Sequence, residues 1–216
     1  MTWLGGGGYS LARLVLHGVN YTKRDGSKVF GSYIPILFED LADPIITGRD
    51  DVGFPKLFAD IAIQEDNGGN ATISLKWRST EFCRLQIEGL AEEQESRMNG
   101  NVEGGRPTNG APPSSPPPDH GNLVYRYVPA VGRSGVADAE YAVLVPHITN
   151  DGTAGPTTRR VTQSASLEFS ACDWQSLPTL HHVAEKLAGM PIYSIEGAER
   201  ATRESVDDLS GAMRIE

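Results

Sequence analysis

The sequence predicts an α+β fold, mostly antiparallel β, forming a barrel or folded sheet with a few flanking helices. Three observations predict it. Short segments rich in β-branched and aromatic residues recur along the chain. Glycine and proline, 24 and 14 of 216 residues, punctuate them. Only one stretch changes clearly to helical period. Connections of hairpin length pair neighbouring strands antiparallel, whereas a parallel βαβ fold needs long crossovers. With 39% apolar residues the chain can bury one sizeable core, so residues 1–216 read as a single domain.

The elements follow in order. Residues 14–19 are strand-like, and residues 21–27 end in Asp25-Gly26, a hairpin-turn signal. Residues 32–38 form another strand, where Pro35 demands an edge or a bulge. Residues 45–47 are short and apolar. Residues 61–64 and 71–77 flank the turn Asn67-Gly68-Gly69-Asn70 and make a hairpin, and residues 82–90 alternate as a further strand. Residues 104–122 hold six prolines among Gly, Ser and Asn and can pack no core. They read as an exposed polyproline-type loop, with a ligand for a proline-reading module as the alternative. Residues 123–128, 141–145 and 161–169 are strand-like. Across residues 174–187, Leu177, Leu180, Val183, Ala184 and Leu187 fall at 3–4 spacing. That is an amphipathic helix with Pro178 in its first turn. Residues 191–197 read as a last strand, and the charged tail from Ala198 as helical or frayed.

Composition removes several function classes. Nineteen basic against 28 acidic residues give a net charge of −9, which opposes binding to a phosphate backbone. No apolar run is long enough to span a bilayer. Residues 1–19 lack the features of a signal peptide. Two cysteines make neither a disulfide framework nor a zinc cluster, and the expected compartment is the reducing cytoplasm. His181-His182 point about 100° apart on a helix, and His17 and His147 have no ligand at metal spacing, so no metal is expected. The glycine run 5–8 lacks the strand-to-helix context of a phosphate loop, and no serine nucleophile elbow is present.

The stretch that carries chemistry is Gly48-Arg49-Asp50-Asp51-Val52-Gly53-Phe54-Pro55-Lys56-Leu57. Lys56 follows a rigid proline and sits among Val52, Phe54, Leu57 and Phe58. A lysine in apolar surroundings loses preference for its charged form, and the neutral amine attacks ketones to form a Schiff base. The alternative from local composition is a lysine that snorkels from a strand end to water.

The Gly-Arg-Asp-x-x-Gly-Phe-Pro-Lys spelling resembles the signature of the acetoacetate decarboxylase family, in which the lysine after the proline forms the Schiff base. The spelling is closest to fungal members. A lysine activated by desolvation is already a known feature of acetoacetate decarboxylase itself, so here it follows from the resemblance. Likeness extends through Gly31-Ser32-Tyr33-Ile34-Pro35 and Glu39-Asp40 before the motif, and from Ser166-Leu167-Glu168-Phe169 to Pro191-Ile192 after it. It covers most of the chain except residues 91–122.

The resemblance implies an acetoacetate decarboxylase-like sheet, Lys56 as nucleophile, and Phe54 and Phe38 as pocket-lining residues. Arg49 is a candidate substrate contact, or else it holds the backbone of the motif. Asp25 is the candidate acid, with a plain hairpin-turn aspartate as its alternative. Glu39 and Asp40 are further candidates, although paired carboxylates at a strand end are usually solvated. Three departures stand out. Leu57 replaces a second lysine, the acid expected on an early strand falls near Leu11 and Ala12, and the arginine that meets the substrate carboxylate would lie upstream of where the chain starts. The expected activity is decarboxylation of a β-keto acid without a cofactor, in a homo-oligomer. The alternatives are a Schiff-base aldolase or dehydratase acting on another keto acid, and a non-catalytic binding member.

Overall fold

The computed structural model describes residues 8–92, 120–146, 158–202 and 211–215. Its centre is strand β2 (Lys28–Glu39), whose apolar residues face both ways. β1 (Leu11–Thr22) pairs antiparallel along one side of it, from Leu11↔Glu39 to Thr22↔Lys28. The other side is shared. Parallel β8 (Gly121–Pro129) takes Ser32 and Tyr33, and parallel β3 (Lys56–Phe58) takes Leu37, Phe38 and Glu39. β9 (Ala137–Pro146) and β13 (Met213–Ile215) extend the sheet in the order β1-β2-β8-β9-β13.

A second sheet runs β11-β6-β5-β4, made of β4 (Asp60–Glu65), β5 (Ala71–Trp77), β6 (Thr80–Glu88) and β11 (Ser164–Phe169). A small third sheet joins β12 (Ala198–Thr202), β10 (Thr158–Thr162) and β7 (Ala91–Glu92). Helix α1 (Ala42–Thr47) leads into a π-turn at Gly48–Val52, and α2 (His181–Ala188) is the second helix. The α+β class and the antiparallel bias hold. Among the described residues no sheet closes on itself, so the folded-sheet form of the expectation stands and the barrel form does not.

Two cores meet at β2. On one face Phe38 packs with Ala59, Leu75, Phe82, Leu177, Leu180, Ala184 and Leu187, which joins the second sheet and α2 to the first. On the other face Ile34 and Leu37 pack with Val52, Phe54, Val124, Val143 and Val145. Pro35 sits where the β1–β2 register shifts between Leu14↔Ile36 and Leu16↔Tyr33, so a bulge accommodates it as expected. That bulge puts Ile34 and Leu37, three residues apart, into one core.

Several elements differ from the sequence reading. Residues 45–47 are helical, closing α1. The run 161–169 breaks at Gln163 into β10 and β11, which belong to different sheets. The helix expected over 174–187 is regular only from His181, and Leu177 is anchored before it through turns. Residues 191–197 form no strand. Of the tail from Ala198, residues Ala198–Thr202 form β12, neither helical nor frayed, because they pair antiparallel with β10 from Ala198↔Thr162 to Thr202↔Thr158, and residues 203–210 lie outside the described residues. Most of the Pro-rich loop and His147 lie outside the described residues.

Candidate active site

Three neighbouring pieces of chain build the site: the end of β2, the α1–π-turn segment and the start of β3. In a parallel pair, opposed residues project to the same face. Leu37↔Lys56 and Glu39↔Phe58 therefore place Lys56 and Glu39 on one face, beside the core that holds Val52 and Phe54. Leu57, the next residue along, packs against the opposite core. Whatever occupies position 57 points away from the Lys56 amine.

Lys56 is 7% exposed and Glu39 1% exposed. The Lys56 Nζ lies 2.8 Å from Glu39 Oε1 and donates to the Pro44 carbonyl at 2.9 Å. The Phe54 ring centroid is 5.6 Å from Nζ, within cation–π range. Glu39 Oε2 is buried with no hydrogen-bond partner. The lysine is thus buried as expected and does not snorkel. Its amine, however, faces a carboxylate and a carbonyl rather than an apolar wall.

The π-turn shapes the surroundings of the amine. Gly53 adopts φ +90° and ends the turn, and the N–H groups of Gly53 and Phe54 both donate to the Gly48 carbonyl at 3.0 Å. A Cβ on Gly48 would stand 2.5 Å from Lys56 Cε and 2.6 Å from Nζ, so only glycine leaves room for the lysine stem. The Arg49 Nη1 donates to the Lys56 carbonyl at 2.7 Å. Arg49 therefore fastens the motif to β3, the backbone-holding alternative of the sequence reading.

The other candidates separate. Phe54 reaches the amine, but Phe38 is on the other face of β2, 5.2 Å from the Phe82 ring. Asp25 lies at the opposite end of the β1–β2 hairpin and does not approach Lys56. It accepts hydrogen bonds from the Ser27 hydroxyl at 2.6 Å and the Ser27 N–H at 2.8 Å, and these hold its carboxyl below the usual value of 3.8. It is the turn aspartate of the alternative reading. Asp40 accepts from the Ser10 N–H at 2.8 Å and ties the start of β1 to the end of β2. The acid beside the amine is Glu39. Its cross-strand partner is Leu11, the neighbourhood where an acid was sought, so the carboxylate sits one strand over.

Arg13 escaped the sequence reading. It pairs with Leu37, which pairs with Lys56, so Arg13, Leu37 and Lys56 form one cross-strand row with side chains on one face. Val15, two residues on, packs into the Leu37–Phe54 core and confirms that face. At two strand spacings the Arg13 and Lys56 backbones are about 10 Å apart. Alternation along β1 next to the motif strand was the signal that could have found it. His17 bonds the Ser32 hydroxyl at 3.0 Å, His181 bonds the Pro178 carbonyl, and no cluster of metal-ligating side chains occurs among the described residues.

The comparisons with known proteins bear on the fold and the family. No curated protein matches the sequence. The structure is similar to an acetoacetate decarboxylase-like enzyme from Sphingomonas wittichii, with TM-score 0.54 and 14% identity over 96% of this chain and 69% of that one. It is also similar to acetoacetate decarboxylase from Legionella pneumophila, with TM-score 0.52 and 15% identity over 91% of this chain. The chain spans 64% of the length of the Legionella protein. Identities this low establish a shared fold. The sequence model described as acetoacetate decarboxylase matches residues 2–199, and the chain belongs to the acetoacetate decarboxylase family.

Proposed function

We propose that the protein decarboxylates a β-keto acid through a Schiff base on Lys56. The observation that carries this reading is the Lys56 amine, buried and held by Glu39 and the Pro44 carbonyl, and the motif's resemblance to the family signature supports it. The amine adds to the ketone carbon and water leaves. The resulting iminium accepts the electron pair of the breaking C–C bond as carbon dioxide departs, and the enamine is protonated and hydrolysed. Arg13 supplies the cation for the substrate carboxylate, across a gap that two long side chains and a short keto acid span. The scheme calls on no cofactor. Free Cys83 and Cys172 suit the reducing cytoplasm.

The test is reductive trapping. Incubation with acetoacetate and borohydride should leave a mass adduct on the peptide carrying Lys56, absent in Lys56→Ala. A folded protein that gives no adduct overturns the enzyme reading and leaves a binding member of the family. Arg13→Gln should raise KM for the keto acid by about 10- to 100-fold, the worth of a charge-assisted hydrogen bond. Trapping of an uncharged ketone should be unchanged in that variant.

A further inference from the structure

We propose that Glu39 is the proton carrier of this site: Oε1 takes the Lys56 proton, and the unpartnered Oε2 exchanges a proton with the carbon next to the imine. The inference rests on the Schiff-base reading of Lys56. Two observations motivate it. The carboxylate and the amine are in direct contact at 2.8 Å, and the second carboxylate oxygen is buried without a partner. A buried acceptor left unsatisfied is costly, and a catalytic role is one account of why a native protein keeps one.

Activation of the lysine then follows from the pair and not from an apolar wall. Moving a proton from the ammonium to the carboxylate gives an amine and a carboxylic acid. The pair is neutral before and after, so no lone ion is created in the interior. The amine adds to the ketone, the Glu39 proton goes to the departing oxygen, and water leaves. The products are an iminium and the Glu39 carboxylate, again an ion pair.

Loss of carbon dioxide converts the iminium to a neutral enamine and strands the Glu39 carboxylate without a counter-ion. A lone buried carboxylate is unfavourable, which drives it to take one proton from water. Glu39 delivers that proton to the enamine carbon and restores the iminium. Addition of water then releases the ketone and returns Lys56 as the ammonium, paired once more with Glu39. One solvent proton is consumed for each carbon dioxide released, as decarboxylation of a keto acid anion requires.

The experiment separates this role from imine formation. Acetone is the probe in two assays: borohydride trapping on Lys56, which reads imine formation, and incorporation of deuterium from D₂O by NMR, which needs the proton carrier at carbon. The wild-type protein should do both. Glu39→Gln, without the acceptor for the Lys56 proton, should be trapped more slowly but still to completion over a long incubation, while exchange falls by about 100-fold or more, the scale of general acid–base catalysis. If Glu39→Gln exchanges within about threefold of wild type, the proton-carrier role is overturned and the Schiff base stands. If the wild-type protein is not trapped, the Schiff-base reading fails, and this inference with it. Should Glu39→Gln not fold, Glu39→Asp carries the test, because it keeps the charge and withdraws the carboxylate by one methylene. Slower but complete trapping with lost exchange supports the role, and exchange within about threefold of wild type overturns it.

Discussion

At the scale of single residues, Glu39 and Lys56 each justify the burial of the other. Removing one partner of a buried ion pair leaves an uncompensated charge and costs about 3–5 kcal/mol, whereas replacing both with apolar groups is far cheaper. Lys56→Met should therefore destabilise by that amount in urea unfolding, and Lys56→Met with Glu39→Leu should recover most of it. A double variant as unstable as the single one would show that the carboxylate is not stranded. Gly48 offers a second check. Its φ of −66° suits any residue, so Gly48→Ala meets no backbone strain, but the new methyl collides with the lysine stem. Trapping with acetone should drop by about tenfold or more, about 1.4 kcal/mol of lost alignment, and the urea midpoint should fall as the buried stem is displaced. Lys56 was legible in the sequence because a spelled motif carries it. Glu39 was less so, since an acid at a strand end is ordinarily wet. The physical clue was that Ile34, Ile36, Leu37 and Phe38 are apolar on both faces, which marks an interior strand whose last residue is covered too.

At the scale of elements, turn chemistry was the most readable signal and strand breaks the least. The β4–β5 hairpin forms where Asn67-Gly68-Gly69-Asn70 predicts it, yet its organiser is Asp66. That carboxylate accepts from the Asn70 N–H at 3.0 Å, the Asn70 side chain at 2.8 Å and the Gly68 N–H at 2.7 Å. These bonds, the Asn70 backbone foremost, hold its carboxyl below 3.8. A folded-state value below the unfolded one stabilises above the ordinary carboxylate range, and the contribution disappears as pH falls through the lowered value. Asp66→Ala should thus lower the urea midpoint at about pH 7, with a smaller deficit near about pH 2, where protonation weakens the wild-type turn. An equal deficit at both values would assign the loss to turn geometry and not to charge. The break between β10 and β11 was invisible because Val161–Phe169 alternates without a glycine or proline. What divides it is tertiary: β10 pairs with β12 and β7, while β11 pairs with β6. The helix at residues 45–47 was hidden for a related reason. Two isoleucines and a threonine fit either state until Asp43 and Pro44 are read as a helix start.

At the scale of the whole molecule, β2 is a partition with chemistry on one side and the main core on the other. Phe38 and Glu39 are adjacent in sequence and face opposite ways. One packs on Phe82 and the other holds the amine. Alternation read from sequence implies this division, but which face meets which sheet depends on long-range pairing that local pattern does not encode. The division makes a prediction that tests it. Leu177 is fully buried, and its N–H and C=O bond the Asp173 carbonyl and the His181 N–H at 2.9 and 2.8 Å, so it pins the segment before α2 onto the second sheet. Leu177→Ala should destabilise by about 2–5 kcal/mol, because a full side chain is removed from a packed core and the cavity closes only in part. The loss should appear in the urea midpoint alone. Corrected for the folded fraction, borohydride trapping on Lys56 should stay within about twofold of wild type, a change below about 0.5 kcal/mol. A matching fall in trapping would show that strain crosses β2, and that the strand couples the two cores rather than separating them.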